Sequence, residues 1–190
     1  MELHNCLQKL LKTSYLSEVS DKTIVLKGGQ EPDDAYSVEL TEIKAKNISV
    51  INLGVNPHSS LISKEGGFNR ICDYMILIPR QNNKIVAMLC ELKKTYQSKA
   101  RDQLHASAPF LDYIQSLLLT HFDEKRQFIC KFVIIASKNA ARIDKQTTRP
   151  NPITSETITN EIITNETIIF KNIEITLIIG ETIPFNKILS

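Results

Sequence analysis

Nothing in the 190 residues approaches the run of roughly 18 apolar residues that a bilayer-spanning helix needs, so no membrane role is expected. The N-terminal MELHNCLQKLLKTSY carries acidic and polar residues where a signal peptide needs an unbroken apolar stretch, and a cytoplasmic protein is expected. Four cysteines (Cys6, Cys72, Cys90, Cys130) show no CxxC spacing, which argues against a zinc site or a thioredoxin-like pair. Three of them lie within apolar stretches and should be reduced core residues. A global basic field is also lacking. The formal charge is only +2, so any affinity for nucleic acid must come from local clusters of Lys and Arg. Ser/His/Asp and Cys/His nucleophile patterns are absent. Gly66-Gly67, in KEGGFNR, is too short and wrongly placed to cradle a phosphate. His105 has no His or Cys partner at ligand spacing. His4, His58 and His121 read as surface residues.

What is present is ordinary for a globular chain: 42% hydrophobic and 23% charged residues, at a length that suits one domain spanning 1–190. Helical spacing of Cys6, Leu7, Leu10 and Leu11 suggests a short amphipathic helix over 4–16. Thr23–Lys27 (TIVLK) reads as a brief strand. Residues 36–53 are ambiguous between a helix start and strands, with β-branched content favouring strands. A loop rich in Ser, Asn, Pro and Gly follows. Ile71–Pro79 (ICDYMILIP) and Lys84–Lys93 (KIVAMLCELK) are then expected as two central strands joined by a hairpin turn, apolar enough to be covered on both faces. A helix from about Ser98 to His121 places Ala100, Leu104, Ser107 or Ala108, Leu111, Ile114 and Leu118 on one face. Pro109 should kink or split it. Phe128–Ser137 is a further strand. The tail, 150–190, is a Thr/Ile-rich extension that drifts in composition to residue 167 and ends in a strand or hairpin over 168–179. The order predicts an α/β fold, a mixed sheet flanked by helices.

Three charges interrupt the paired strands. Asp73 lies in the first, and Glu91 and Lys93 in the second. Charges inside a doubly covered sheet are costly unless paired or bound to a metal. With a three-residue turn, Arg80 faces Lys84 and Asp73 faces Glu91, the two side chains about 5 Å apart. Lys93 then shares their face at about 6.6 Å along the strand. A two-residue turn would put the acids on opposite faces. Two facing carboxylates repel, so one pKa should rise unless a cation intervenes. Mg²⁺ suits one or two carboxylates plus waters. Such an ion can hold a phosphate oxygen and acidify a water, while Lys93 positions or deprotonates that water or steadies developing charge. The bland alternative is a structural cross-strand ion pair.

Asp73, the hairpin, and Glu91-Leu92-Lys93 together resemble the D…ExK signature of the PD-(D/E)XK nuclease superfamily. The resemblance covers roughly residues 36–137 and implies a restriction-endonuclease-like fold, a central mixed β-sheet flanked by helices. It implies that Asp73 and Glu91 bind Mg²⁺ or Mn²⁺ and that Lys93 assists the water. It also implies a helical Gln near the site, carried by Gln103. A further acid is implied from the first helix, for which Glu39 and Glu42 are candidates and Glu39 is preferred. Two positions depart from the pattern: Cys72 stands where Pro often precedes the Asp, and Ser107 where RecB-like members carry Tyr. Lys94, Lys99, Arg101 and Arg70 could contact phosphates, or could simply be solvated. The implied activity is metal-dependent cleavage of DNA, with RNA open, in prokaryotic anti-phage defence and as a homodimer or part of a defence complex. A nuclease-like binding module that does not cut is the alternative.

Overall fold

A computed structural model of the chain describes residues 2–17, 19, 22–29, 35–45, 47–54, 71–93, 99–136, 164–170, 173–180 and 182–189. In chain order the elements are α1 (Leu3–Leu10), a 3₁₀ turn (Thr13–Tyr15), β1 (Leu16–Ser17), β2 (Ile24–Gly28), β3 (Tyr36–Thr41) and β4 (Ser49–Asn52). There follow β5 (Tyr74–Arg80), β6 (Lys84–Lys93), α2 (Lys99–Phe122), β7 (Gln127–Ala136), β8 (Thr164–Phe170), β9 (Ile173–Ile179), β10 (Thr182–Pro184) and α3 (Phe185–Leu189). The architecture is α/β, a mixed sheet with a few helices.

Two strands explain the centre. β5 and β6 are buried almost throughout, as their continuous apolar sequences require of strands covered on both faces. The turn between them is the three-residue one: Arg80 pairs with Lys84, and the ladder runs back to Tyr74 opposite Cys90. Asn82 and Asn83 take positive φ values of 65° and 57°, a conformation that Asn tolerates better than most residues. Around this hairpin seven strands form a sheet in the order β1-β4-β5-β6-β7-β9-β8. The β1–β4, β4–β5, β5–β6 and β8–β9 pairs are antiparallel, whereas β6–β7 and β7–β9 are parallel. A parallel neighbour demands a crossover, and α2 provides it between β6 and β7.

The strand period of two sends alternate residues to two cores. Met75, Leu77, Ile85, Ala87 and Leu89 meet α1 and α2 through Leu3, Leu7, Ala100, Leu104, Leu111, Ile114 and Leu118. On the other face Tyr74, Ile76, Ile78, Met88 and Cys90 meet a second sheet of three strands, ordered β10-β3-β2, through Ile24, Leu26, Val38 and Leu40. The Tyr74 hydroxyl ties the two sheets together, accepting from Lys27 N at 2.9 Å and donating to Lys27 O at 3.0 Å. α3 closes this core with Phe185 and Ile188.

Some expectations need correcting. The first helix ends at Leu10 rather than reaching 16. The ambiguous 36–53 segment is two strands in different sheets. α2 is a single helix of 24 residues containing Pro109. Pro109 denies a hydrogen bond to the carbonyl of His105, but both residues are exposed, so water can serve that carbonyl. Of the strand or hairpin expected over 168–179 the structure has the hairpin, β8–β9, beginning at Thr164; the strand and helix after it were not expected. Cys6, Cys72 and Cys90 are buried, whereas Cys130 is exposed. Among the described residues no helix is long and apolar enough to cross a membrane.

Candidate active site

The site forms where the β5–β6 hairpin ends opposite its turn. A regular strand would point Cys72 and Tyr74 to the same face. Instead Cys72 belongs to the core beneath α2 and Tyr74 to the core beneath the second sheet, so the chain bends at Asp73. The ladder therefore stops one pair short of Asp73 and Glu91. The Asp73 carboxylate reaches across to β6, where Oδ2 accepts the Leu92 N–H at 2.8 Å. On the other side, Leu53 N and Gly54 N donate to the Asp73 carbonyl at 2.7 and 3.2 Å. Its second carboxylate oxygen, Oδ1, faces Gly54, 3.7 Å from where a Cβ on that glycine would stand.

Glu91 has no exposed surface. Lys93 Nζ lies 2.5 Å from its Oε1, yet neither carboxylate oxygen has a hydrogen-bond partner of normal geometry among the described residues. Burial, and then the Asp73 charge, push the Glu91 pKa up to about 8 from an ordinary 4.5, with the Lys93 ammonium opposing. Burial likewise raises Asp73, against the Leu92 hydrogen bond and the Lys93 charge. Lys93, whose side chain is 22% exposed, bridges outward, donating to Gln103 Oε1 on α2 at 3.1 Å.

Asp73, Glu91, Lys93 and Gln103 are thus brought together by β5, β6 and the second turn of α2. Glu39 is not. It is an exposed residue of β3 in the second sheet, between Val38 and Leu40, whose side chains point inward to the main sheet. Alternation turns Glu39 outward, and the main sheet stands between its sheet and α2. Glu42, at φ 57° just beyond that strand, is exposed as well. Arg101 is half-buried on α2, two residues from Gln103 and so on a different side of the helix. Arg70 and Lys94 lie outside the described residues, as does the side chain of Lys99.

Sequence reasoning missed Ser107 as a member of this neighbourhood. It is fully buried; its Oγ accepts the Cys72 N–H at 2.7 Å and donates to Gln103 O at 2.7 Å. The signal was a hydroxyl residue on the apolar face of α2.

Chemically, a fully buried carboxylate short of donors among the described residues, with a half-buried one beside it, makes a better host for a hard cation than the two acids do for each other. Among the described residues no third Asp, Glu, His or Cys completes a three-ligand cluster, and Mg²⁺ does not require one. No protein-family model, curated protein or solved structure matches the chain.

Proposed function

We propose that the protein is a metal-dependent nuclease of the PD-(D/E)XK kind, hydrolysing phosphodiester bonds, with DNA the substrate that the resemblance favours. The observation that carries this is the buried Glu91 carboxylate, short of hydrogen-bond donors of normal geometry among the described residues, set beside Asp73 and the Lys93 ammonium. A purely structural pair would saturate its carboxylate with donors. The mixed sheet, with the acid just before one hairpin strand and Glu-x-Lys on the next, fits a restriction-endonuclease-like fold.

Asp73 and Glu91 would hold Mg²⁺ or Mn²⁺. A bound ion supplies Lewis acidity toward a phosphate oxygen and lowers the pKa of a coordinated water. Asp73 is kept in place for this by Leu92 N at one carboxylate oxygen and by two backbone donors at its carbonyl. Lys93, steadied by Gln103, orients the attacking water and offsets negative charge as the bond to phosphorus forms. The resemblance extends the proposal to prokaryotic defence, with active sites paired in a homodimer, for which molecular mass in solution is the check.

Supercoiled plasmid, single-stranded DNA and RNA, each incubated with Mg²⁺, Mn²⁺ or EDTA, test the activity. Cleavage that needs the metal and disappears in Glu91→Gln and Lys93→Ala supports it. Equal cleavage in EDTA, or no cleavage of any substrate, contradicts it, the second outcome favouring a binding module.

A further inference from the structure

We propose that Ser107 is a positioning residue that sets Asp73 and Gln103 relative to each other, an inference that rests on the metal-dependent reading above. Asp73 lies outside the β5–β6 ladder, so regular pairing does not fix where its carboxylate sits. Leu53 N and Gly54 N hold its carbonyl from the β4 side, and Leu92 N holds its carboxylate from β6. From the α2 side the contact is one residue earlier, at Cys72 N. A single hydroxyl makes it.

That hydroxyl is used twice. Its oxygen takes the Cys72 N–H and its proton goes to the carbonyl of Gln103, both at 2.7 Å. Gln103 in turn holds Lys93 through its side chain. Ser107 therefore links the backbone beside the first carboxylate to the backbone of the residue that steadies the ammonium. The role needs a short side chain that both accepts and donates, which Ser and Thr have and Ala lacks. It also needs an N–H at position 72. Cys72 has one and a proline there would not. The bond is fully buried, which makes it rigid and costly to leave half-made.

The test is Mn²⁺ affinity, read by paramagnetic resonance of free Mn²⁺, on full-length wild type, S107A, S107C and S107T. S107C keeps the volume but exchanges the hydroxyl for a weak hydrogen-bonding thiol, so it carries the test if S107A does not fold. Outer contacts of this kind are worth about tenfold or more in metal affinity. S107A and S107C should lose that much, S107T should stay within about threefold of wild type, and the Cys72 amide should exchange with solvent faster in S107A. A folded S107A or S107C that binds Mn²⁺ like wild type overturns the proposal, as does an S107T loss equal to that of S107A. If wild type itself binds no Mn²⁺, the nuclease reading fails and this inference with it; if all four bind equally, only this inference falls.

Discussion

Two glutamates, each with a basic residue two positions on, mark opposite ends of the main sheet: Glu124 with Arg126, just before β7, and Glu91 with Lys93, at the end of β6. Both form ion pairs, and both are largely withdrawn from water, with side-chain exposures of 9% and 0%. Their proton affinities nevertheless move in opposite directions. Glu124 is lowered, chiefly by its hydrogen bonds to Arg126. Those number three: Nε at 2.8 Å and the backbone N at 3.1 Å on one oxygen, and Nη2 at 2.5 Å on the other. Glu91 is raised by burial and by the Asp73 charge, because the Lys93 ammonium and the Asp73 backbone do not replace the lost water. The same sequence spacing gives a structural clamp in one place and a poised carboxylate in the other. What separates them is depth of burial, donor count and a second acid, not the Glu-x-basic pattern.

The contrast can be broken most visibly at Glu91. Glu91→Gln should reduce cleavage by at least about a hundredfold, measured as initial rate on plasmid with Mg²⁺, while the fold persists. Glu124→Gln should leave that rate unchanged.

Stability against pH should sharpen it. A carboxylate whose pKa is raised on folding contributes stability that is present below its unfolded value and lost as pH rises through its folded value. For Glu91 that window runs from 4.5 to about 8. Metal-free wild type should therefore lose stability across it, on the order of a few kcal/mol, and Glu91→Gln should lose markedly less, keeping only the contribution of Asp73, whose pKa burial also raises. Denaturant midpoints in EDTA at pH 5 and pH 8 read the difference, and Mg²⁺ should restore wild type at pH 8 but not the variant. Glu124 has the opposite sign. Its stabilisation is present above the unfolded pKa and fades on acidification, and Glu124→Gln should lower stability by about 1–2 kcal/mol at pH 7. The smallest effect is expected at Glu39. Exposed and outside the site, Glu39→Ala should change stability by less than about 0.5 kcal/mol and leave cleavage intact.

Much of this site was legible in the chain because two of its signals are local. The sequence narrowed the hairpin to a two- or three-residue turn; the structure has the three-residue one, with Asn82 and Asn83 at positive φ, and that register brings Asp73 towards Glu91. The resemblance alone pointed to Gln103, and the apolar spacing of α2 left the buried face to Ser107 or Ala108, of which the structure buries Ser107. Two things were out of reach. The second sheet pairs β3 with β10, which arrives from far along the chain, and no local pattern announces such a partner. Without that sheet, Glu39 could not be assigned to its outer surface. The bend at Asp73 was also hidden, since it depends on hydrogen bonds from β4 and α2 that adjacent residues do not encode.

Direct binding of Mn²⁺ to wild type, Asp73→Asn and Glu91→Gln, in the absence of any nucleic acid, tests the account at its centre. It predicts that wild type takes up the ion and that each variant loses the site while remaining folded. Uptake that is the same in all three, or absent from the wild type, would contradict it.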